Sequence, residues 1–456
     1  ERRSGAAMLT ITSEQALATA PDANSAQAGR KLADPRHWRN LGHTPQALWG
    51  ECQGSALYQT RVDLASLSVK CSCPSRKFPC KHGVGLMLLA ATTPDALPES
   101  APPDWVAAWL NQRAARAEAE ATPKAPAAPK DDAKAAAAAT KRIGKREGLV
   151  SDGLDMLDLW LNDLMRGGLG AVEAQPARFW YDMSKRMVDA QAGGMAGRLR
   201  AMAGIVNTGR DWPQRLLDAL GETALLSHAY HQQATLDAAL RADVRSLVGW
   251  SLSTDEVDAA GDHVRDQWIT LGQTIFEDDH LRTQRTWLLG EQSARTALIL
   301  QFSVGWRDFG ETFVRGSRFQ AELHFWPGAY PLRARIASRP EVATPQMMRW
   351  LPHGLGYASI DALLGEFARA LGRQPWLGQL GVALRDVTPI PTPEGPWLLR
   401  DAAGAALPLA GDDHWPLLAL SGGRPLDLLA EWNGARLLPL GAFAEGRYSP
   451  LEGRTA

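Results

Sequence analysis

Twelve residues constrain this chain more than any others: Cys71-Ser-Cys73-Pro-Ser-Arg-Lys-Phe-Pro-Cys80-Lys-His82. They hold three of its four cysteines and a histidine. Residues i and i+2 of a strand point to the same side, so Cys71 and Cys73 face one ion. Pro74 and Pro79 punctuate the loop and favour a turn back, which brings Cys80 and His82 round to close the site. Three thiolates and one imidazole are the ligand set of one structural Zn2+ ion held in a closed site. Two alternatives use the same residues: a disulfide pair, since the cysteine count is even, and isolated buried thiols. Clustering without a secretory context favours the metal. The apolar run Gly83–Ala91 that follows reads as a short buried helix.

A chain of 456 residues is too long for one core, so two to four domains are expected. Hydrophobic residues make up 45% and charged residues 22%, the balance of a globular protein. A net charge of −1 gives no global electrostatic case for nucleic acid or membrane, so any such case has to be local. No apolar run approaches the roughly 20 residues of a transmembrane helix. The start of the chain lacks the apolar stretch of a signal peptide, and residues 1–7 read as an extension ahead of a start at Met8. A reducing, cytoplasmic location is expected, which also keeps the thiols free for metal. The seventeen tryptophans are spread from Trp38 to Trp432, which favours core anchors over a base-stacking platform.

Along the chain, a helix is expected over Ser13–Ala20, then alternating strands over Ala56–Val62 and Leu67–Cys71. Cys52 has no ligand partner at short spacing and reads as a small thiol, buried or partly exposed. A helix fits Pro103–Arg113, with Val106, Trp109 and Leu110 on one face. Residues 118–147 are Ala, Pro, Lys, Glu and Asp with almost nothing large and apolar, the composition of a linker; Lys141–Arg146 reads as its solvated basic end. From Leu149 to about Gln284 the periodicity is helical. Leu154, Leu157, Trp160, Leu161 and Leu164 form a stripe that the glycines of 167–170 end. Ser253-Thr-Asp-Glu256 opens a further helix whose buried face is Val257, Val264, Trp268 and Leu271. Strands follow over Thr286–Gly290, Thr296–Val304, Phe319–Trp326 and Leu332–Ile336, an antiparallel meander, then a helix over about 359–371. Short strands return at Trp397–Arg400, Ala406–Leu409, Leu417–Leu420 and Arg436–Leu440, with hairpin turns at Asp401–Gly404 and Trp432–Gly434. The expected architecture is α+β and multidomain. Residues 1–117 carry a small ββα zinc-binding module (about 48–92), 118–147 a linker, 148–284 a helical domain and 285–456 a β-rich part.

The strand pair, CxC, short loop, CxH and apolar helix resemble the SWIM zinc finger family, bacterial members in particular. Cys52-Gln-Gly-Ser, Tyr58-Gln and Val62-Asp63 ahead of the cluster add to the likeness, as do Leu159–Leu164, Phe179-Trp180, Met187–Gln191 and Phe325–Leu332 after it. The resemblance implies zinc binding by a module that contacts DNA or protein. It also implies a genomic setting beside a MoxR-type AAA ATPase and a von Willebrand A-type protein, and hence those proteins as partners.

Support for catalysis is thin. There is no GxSxG elbow, HExxH, Rossmann fingerprint or GxxxxGK[ST] loop. Glu277-Asp-Asp-His280 and Asp412-Asp-His414 are carboxylate–histidine clusters in turn-like segments where Asp caps well, and His228 and His231 stand at i, i+3 without a third ligand. Around the finger, Lys70, Arg76, Lys77 and Lys81 form a cationic patch with no acid between residues 68 and 94. Such a patch either contacts phosphates or offsets the anionic zinc–thiolate centre. The expected function is therefore a non-enzymatic zinc-binding adaptor or substrate-recognition protein. A DNA- or RNA-binding protein and a metal-dependent hydrolase are the alternatives.

Overall fold

A computed structural model describes residues 11–54, 56–65, 67–75, 77–121, 132–278, 281–304, 309–338, 345–393 and 395–451. The architecture is α+β, with three sheets among the described residues and a helical middle. Helix α1 (Ser13–Ala18) opens on a capping box in which the Thr12 hydroxyl accepts from the Gln15 N–H and the Gln15 side chain accepts from the Thr12 N–H. Asp22 caps α2 (Ala23–Leu32). Strands β1 (Trp38–His43), β2 (Ala47–Gln53), β3 (Leu57–Asp63) and β4 (Val69–Cys71) form an antiparallel sheet in sequence order. Helix α3 (Lys81–Thr92) packs between this sheet and α1 and α2. That sandwiching is why it is apolar all round, with every residue from His82 to Ala90 buried. Helix α4 (Asp104–Ala121) follows.

The segment whose composition reads as a linker carries helix at both ends. It includes the last turn of α4 and the start of α5 (Asp132–Gly167), while residues 122–131 lie outside the described residues. Lys141–Arg146 is not simply a solvated end: Arg146 donates to the Gly249 carbonyl at 2.9 Å and sits 4.1 Å from the Trp250 ring centroid. Helices α6 (Leu169–Glu173), α7 (Arg178–Asp189), α8 (Gly193–Ala203), α9 (Trp212–His231) and α10 (Ala238–Val248) complete the helical body. Leu154, Leu157, Leu161 and Leu164 of the α5 stripe enter its core beside Trp180, Met187, Leu199 and Leu216. Gly168, at φ +76°, takes the chain out of α5.

The helical reading ends too late in the sequence. The capping box at Ser253 exists, but it opens only the short helix α11 (Thr254–Ala259), and Gly261 at φ +82° turns the chain into strand β5 (His263–Asp278). Trp268 and Leu271 are buried as expected, but as strand residues. Their i, i+3 spacing fitted a helix because both faces of β5 are buried: Trp268 packs inside the barrel with Phe319 and Leu323, and Leu271 packs on the other side with Ile269 and Leu440. The helical domain therefore stops near Ala259, not near residue 284. Strands β5, β6 (Leu281–Gly290), β7 (Thr296–Val304), β8 (Ser317–Phe325) and β9 (Arg333–Ser338) do not form a meander. The β7–β9 pair is parallel, β9 also pairs with β8, and β8 pairs with β5, so the five strands close into a barrel. Closure removes the free edges a meander would leave. Strand β10 (Gln346–Met347) extends β8.

Helix α12 (Ile360–Arg373) precedes a second antiparallel sheet, order β13-β12-β11-β14-β15-β16. Its strands are β11 (Leu380–Ile390), β12 (Leu398–Arg400), β13 (Ala406–Pro408), β14 (Leu426–Trp432), β15 (Leu437–Ala444) and β16 (Arg447–Pro450). The turn at Asp401–Gly404 joins neighbouring strands as its composition predicts, and the turn expected at Trp432–Gly434 joins β14 to β15, with Trp432 still paired in the strand. Leu417–Leu420 is not a strand; it belongs to helix α13 (Trp415–Ser421), started by Pro416 in the first turn. The sheet is fastened to the barrel by Glu431, which accepts from Arg285 at 2.8 Å and from the Trp287 indole at 2.6 Å. Among the described residues no helix is long and apolar enough to cross a membrane.

The N-terminal module also docks on the barrel. Val314 is buried in the core of that module, Gln15 donates to the Pro345 carbonyl at 2.5 Å, Ser68 donates to Thr312 at 2.9 Å, and Arg315 donates to the Ala20 carbonyl.

Candidate metal centre

The four expected ligands converge. Ligand atoms of Cys71, Cys73, Cys80 and His82 all lie within 4.8 Å of one another. Cys71 ends β4, Cys73 follows in the loop, Cys80 is the residue just before α3, and His82 is in its first turn. His82 Nδ1 stands 3.7 Å from Cys71 Sγ and 3.8 Å from Cys80 Sγ. A tetrahedral ion bound at usual Zn–S and Zn–N lengths sets such edges at about 3.6 Å. The donor set and spacing therefore fit zinc, with these four residues as ligands. Cys80 and His82 are buried, and Cys71 and Cys73 are half-buried.

The thiols are also tuned by one another. Hydrogen bonds from Cys71 and Cys80 hold the Cys73 thiol far below its ordinary value; the contact with Cys73 pushes Cys71 up against a lowering contact with Cys80, and contacts with Cys71 and then Cys73 push Cys80 up. A bound dication supplies the charge that lets all three thiols ionise together. The N-terminus of α3 adds a favourable field at Cys80. Thr60, fully buried and opposite Cys71 in the ladder, brings its hydroxyl to 3.2 Å from Cys71 Sγ. Nothing in the linear pattern marks Thr60, because its role comes from the β3–β4 register.

Cys52 stays apart, fully buried in the module's core, and burial pushes its thiol up to about 11. Of the cationic patch, Lys70, Lys77 and Lys81 are exposed, and Arg76 lies outside the described residues. Lys77 forms an ion pair with Asp22, the cap of α2, so the patch is less cationic than its sequence suggests. Lys77 and Lys81 line a cavity of about 410 Å³ together with Tyr58, Cys73 and His82.

The other carboxylate–histidine groupings have structural work. His414 is buried just before α13 with Nε2 3.2 Å from the Gly411 carbonyl, and Asp413 accepts from the Trp415 N–H. His231 faces Asp155 and Asp158 of α5. In Glu277–His280, Glu277 pairs with Arg282, while Asp279 and His280 lie outside the described residues.

Comparison with curated proteins and with solved structures returns no match. Family comparison matches residues 58–91 to the SWIM zinc finger and residues 145–248 to the SWIM-associated four-helix bundle domain. With all four ligands inside the first match and the helical body covered by the second, the two support a protein of the SWIM family.

Proposed function

We propose that this chain is a non-catalytic recognition protein in which zinc rigidifies a docking module rather than serving as a reaction centre. The observation that carries the reading is the closed ligand set: four protein donors at tetrahedral spacing leave no position for a reacting water. The module is packed on the barrel, and the barrel is bound through Glu431 to the C-terminal sheet, so the zinc-held part presents its surface together with the rest of the molecule. The partner we propose is a MoxR-type AAA ATPase with its von Willebrand A-type companion, for which this chain acts as adaptor or substrate-recognition subunit in the cytoplasm. Affinity purification from the source cell, with and without nuclease and across nucleotide states, tests this. Nuclease-resistant recovery of the ATPase supports the adaptor, and no association under any nucleotide condition overturns it.

Nucleic acid is the second reading, favoured by the exposure of Lys70 and Lys81 beside the metal cluster. Phosphate contacts would make retention fall steeply with salt. Binding indifferent to salt and to Lys81→Ala rejects it.

A further inference from the structure

A second group of metal-binding side chains lies far from the finger in sequence, on the barrel. His263 of β5 and His324 of β8 are directly opposed in the antiparallel ladder, and Glu322 stands two residues before His324 on the same face. A ligand atom from each of the three lies within 4.8 Å of the others. Each imidazole is already oriented by the same residue. Asp258 Oδ1 is 2.6 Å from His324 Nδ1, and the Asp258 carbonyl is 2.9 Å from His263 Nε2. If those nitrogens carry the protons, Nε2 of His324 and Nδ1 of His263 keep their lone pairs. A carboxylate or carbonyl behind each imidazole is the arrangement that fixes the tautomer of metal-bound histidines. Asp258 is in turn held by Arg335 at 2.9 and 2.5 Å. Glu322 is divided between two neighbours: Oε2 accepts from Arg265 at 2.9 Å, while Oε1 faces His324 Nε2 at 3.5 Å.

From this geometry we propose that His263, Glu322 and His324 form a site for a divalent transition-metal ion, distinct from the finger's zinc. Two imidazoles and one carboxylate suit Zn2+, Co2+, Ni2+ or Fe2+ over Mg2+ or Ca2+, and three protein ligands leave positions for water or a group from a partner. The two rings stack at 3.6 Å with 12° between planes. In-plane lone pairs of parallel rings cannot meet at one ion, so loading turns His263, the exposed member, out of the stack and off the Asp258 carbonyl, leaving His324 as the ligand that Asp258 orients in the loaded site. The same contacts also tie α11 to the barrel through Asp258, which explains Asp258 without a metal but does not explain the Glu322 oxygen aimed at His324.

The test is metal titration of the full chain with its finger already loaded with zinc. Ni2+ is the probe, followed by calorimetry and elemental analysis. One further equivalent should bind, raising the melting temperature. His263→Gln and Glu322→Gln should each weaken Ni2+ binding roughly 10-fold or more, while both variants keep the zinc and the unliganded melting temperature. The histidine ring protons of His263 and His324 should broaden or shift on titration in the parent chain alone. A total that stays at the finger's zinc, or Ni2+ binding unchanged in both variants, overturns the proposal.

Discussion

At the scale of single residues, the metal centre depends on side chains whose individual environments differ sharply. Cys73 sits where two neighbouring thiols favour its anion, whereas Cys52 is buried among apolar groups that penalise charge. Alkylating reagents should therefore leave Cys52 intact in the folded chain. Cys73→Ser removes a ligand from a site of the kind that contributes about 10 kcal/mol of folding free energy. It should release zinc and abolish the cooperative melting of the N-terminal module, read by elemental analysis and calorimetry; retained stoichiometric zinc with a native melt would refute the ligand assignment. The four ligands were readable because CxC, the proline-bounded loop and CxH are local. Thr60 was not, because the partner across a ladder depends on register.

At the scale of elements, the finger needs α3 to lie very close to β4. A Cβ on Gly83 would come within 2.3 Å of Val69 Cγ1, and Val69 is two residues before Cys71 on the short strand. The helix carries His82 and begins after Cys80, so separating these two elements separates the ligands. Gly83→Ala should destabilise the module by about 1–3 kcal/mol through overpacking and weaken zinc affinity with it, measured by denaturant titration and chelator competition. A variant as stable and as tight as the parent would show that the contact relaxes without cost. The buried helix itself was evident from its apolar run. Strand β5 was not, since burial on both of its faces places apolar residues at helical spacing, and the α13 segment reads as a strand because four apolar residues carry no period.

At the scale of the whole molecule, the parts are joined by buried polar contacts that no local pattern announces. Asp243 of α10 accepts from the Ala329 N–H at 2.7 Å and from Gln374 at 3.1 Å, linking the helical body to the barrel and to the end of α12. Burial pushes its carboxyl up to about 6, against the Ala329 hydrogen bond and with some help from Asp237. An acid with a raised folded pKa binds its proton better in the native state, so the native state loses stability as pH rises from about 4 to 6. The cost above that window is about 3 kcal/mol. Asp243→Asn should melt above the parent at neutral pH, with the difference vanishing below about pH 4. An equal difference at both pH values would show that folding does not shift the Asp243 carboxyl. Because Val314 of the barrel is buried in the N-terminal core, loss of zinc should also expose barrel surface, so the module and the barrel are not independent in unfolding.

The sequence alone determined which three cysteines and histidine gather into one candidate metal site, the α+β class, the amphipathic stripe of α5 and the hairpin turn at Asp401–Gly404. Each of these is written in spacings of a few residues, where strand or helix geometry fixes which side chains meet. Only the tertiary structure decided the closure of the barrel, the pairing of Glu431 with Arg285 and Trp287, and the meeting of His263 with His324 and Glu322. These contacts join residues about 35 to 150 positions apart, and their partners are chosen by strand register and domain packing, which local composition does not encode.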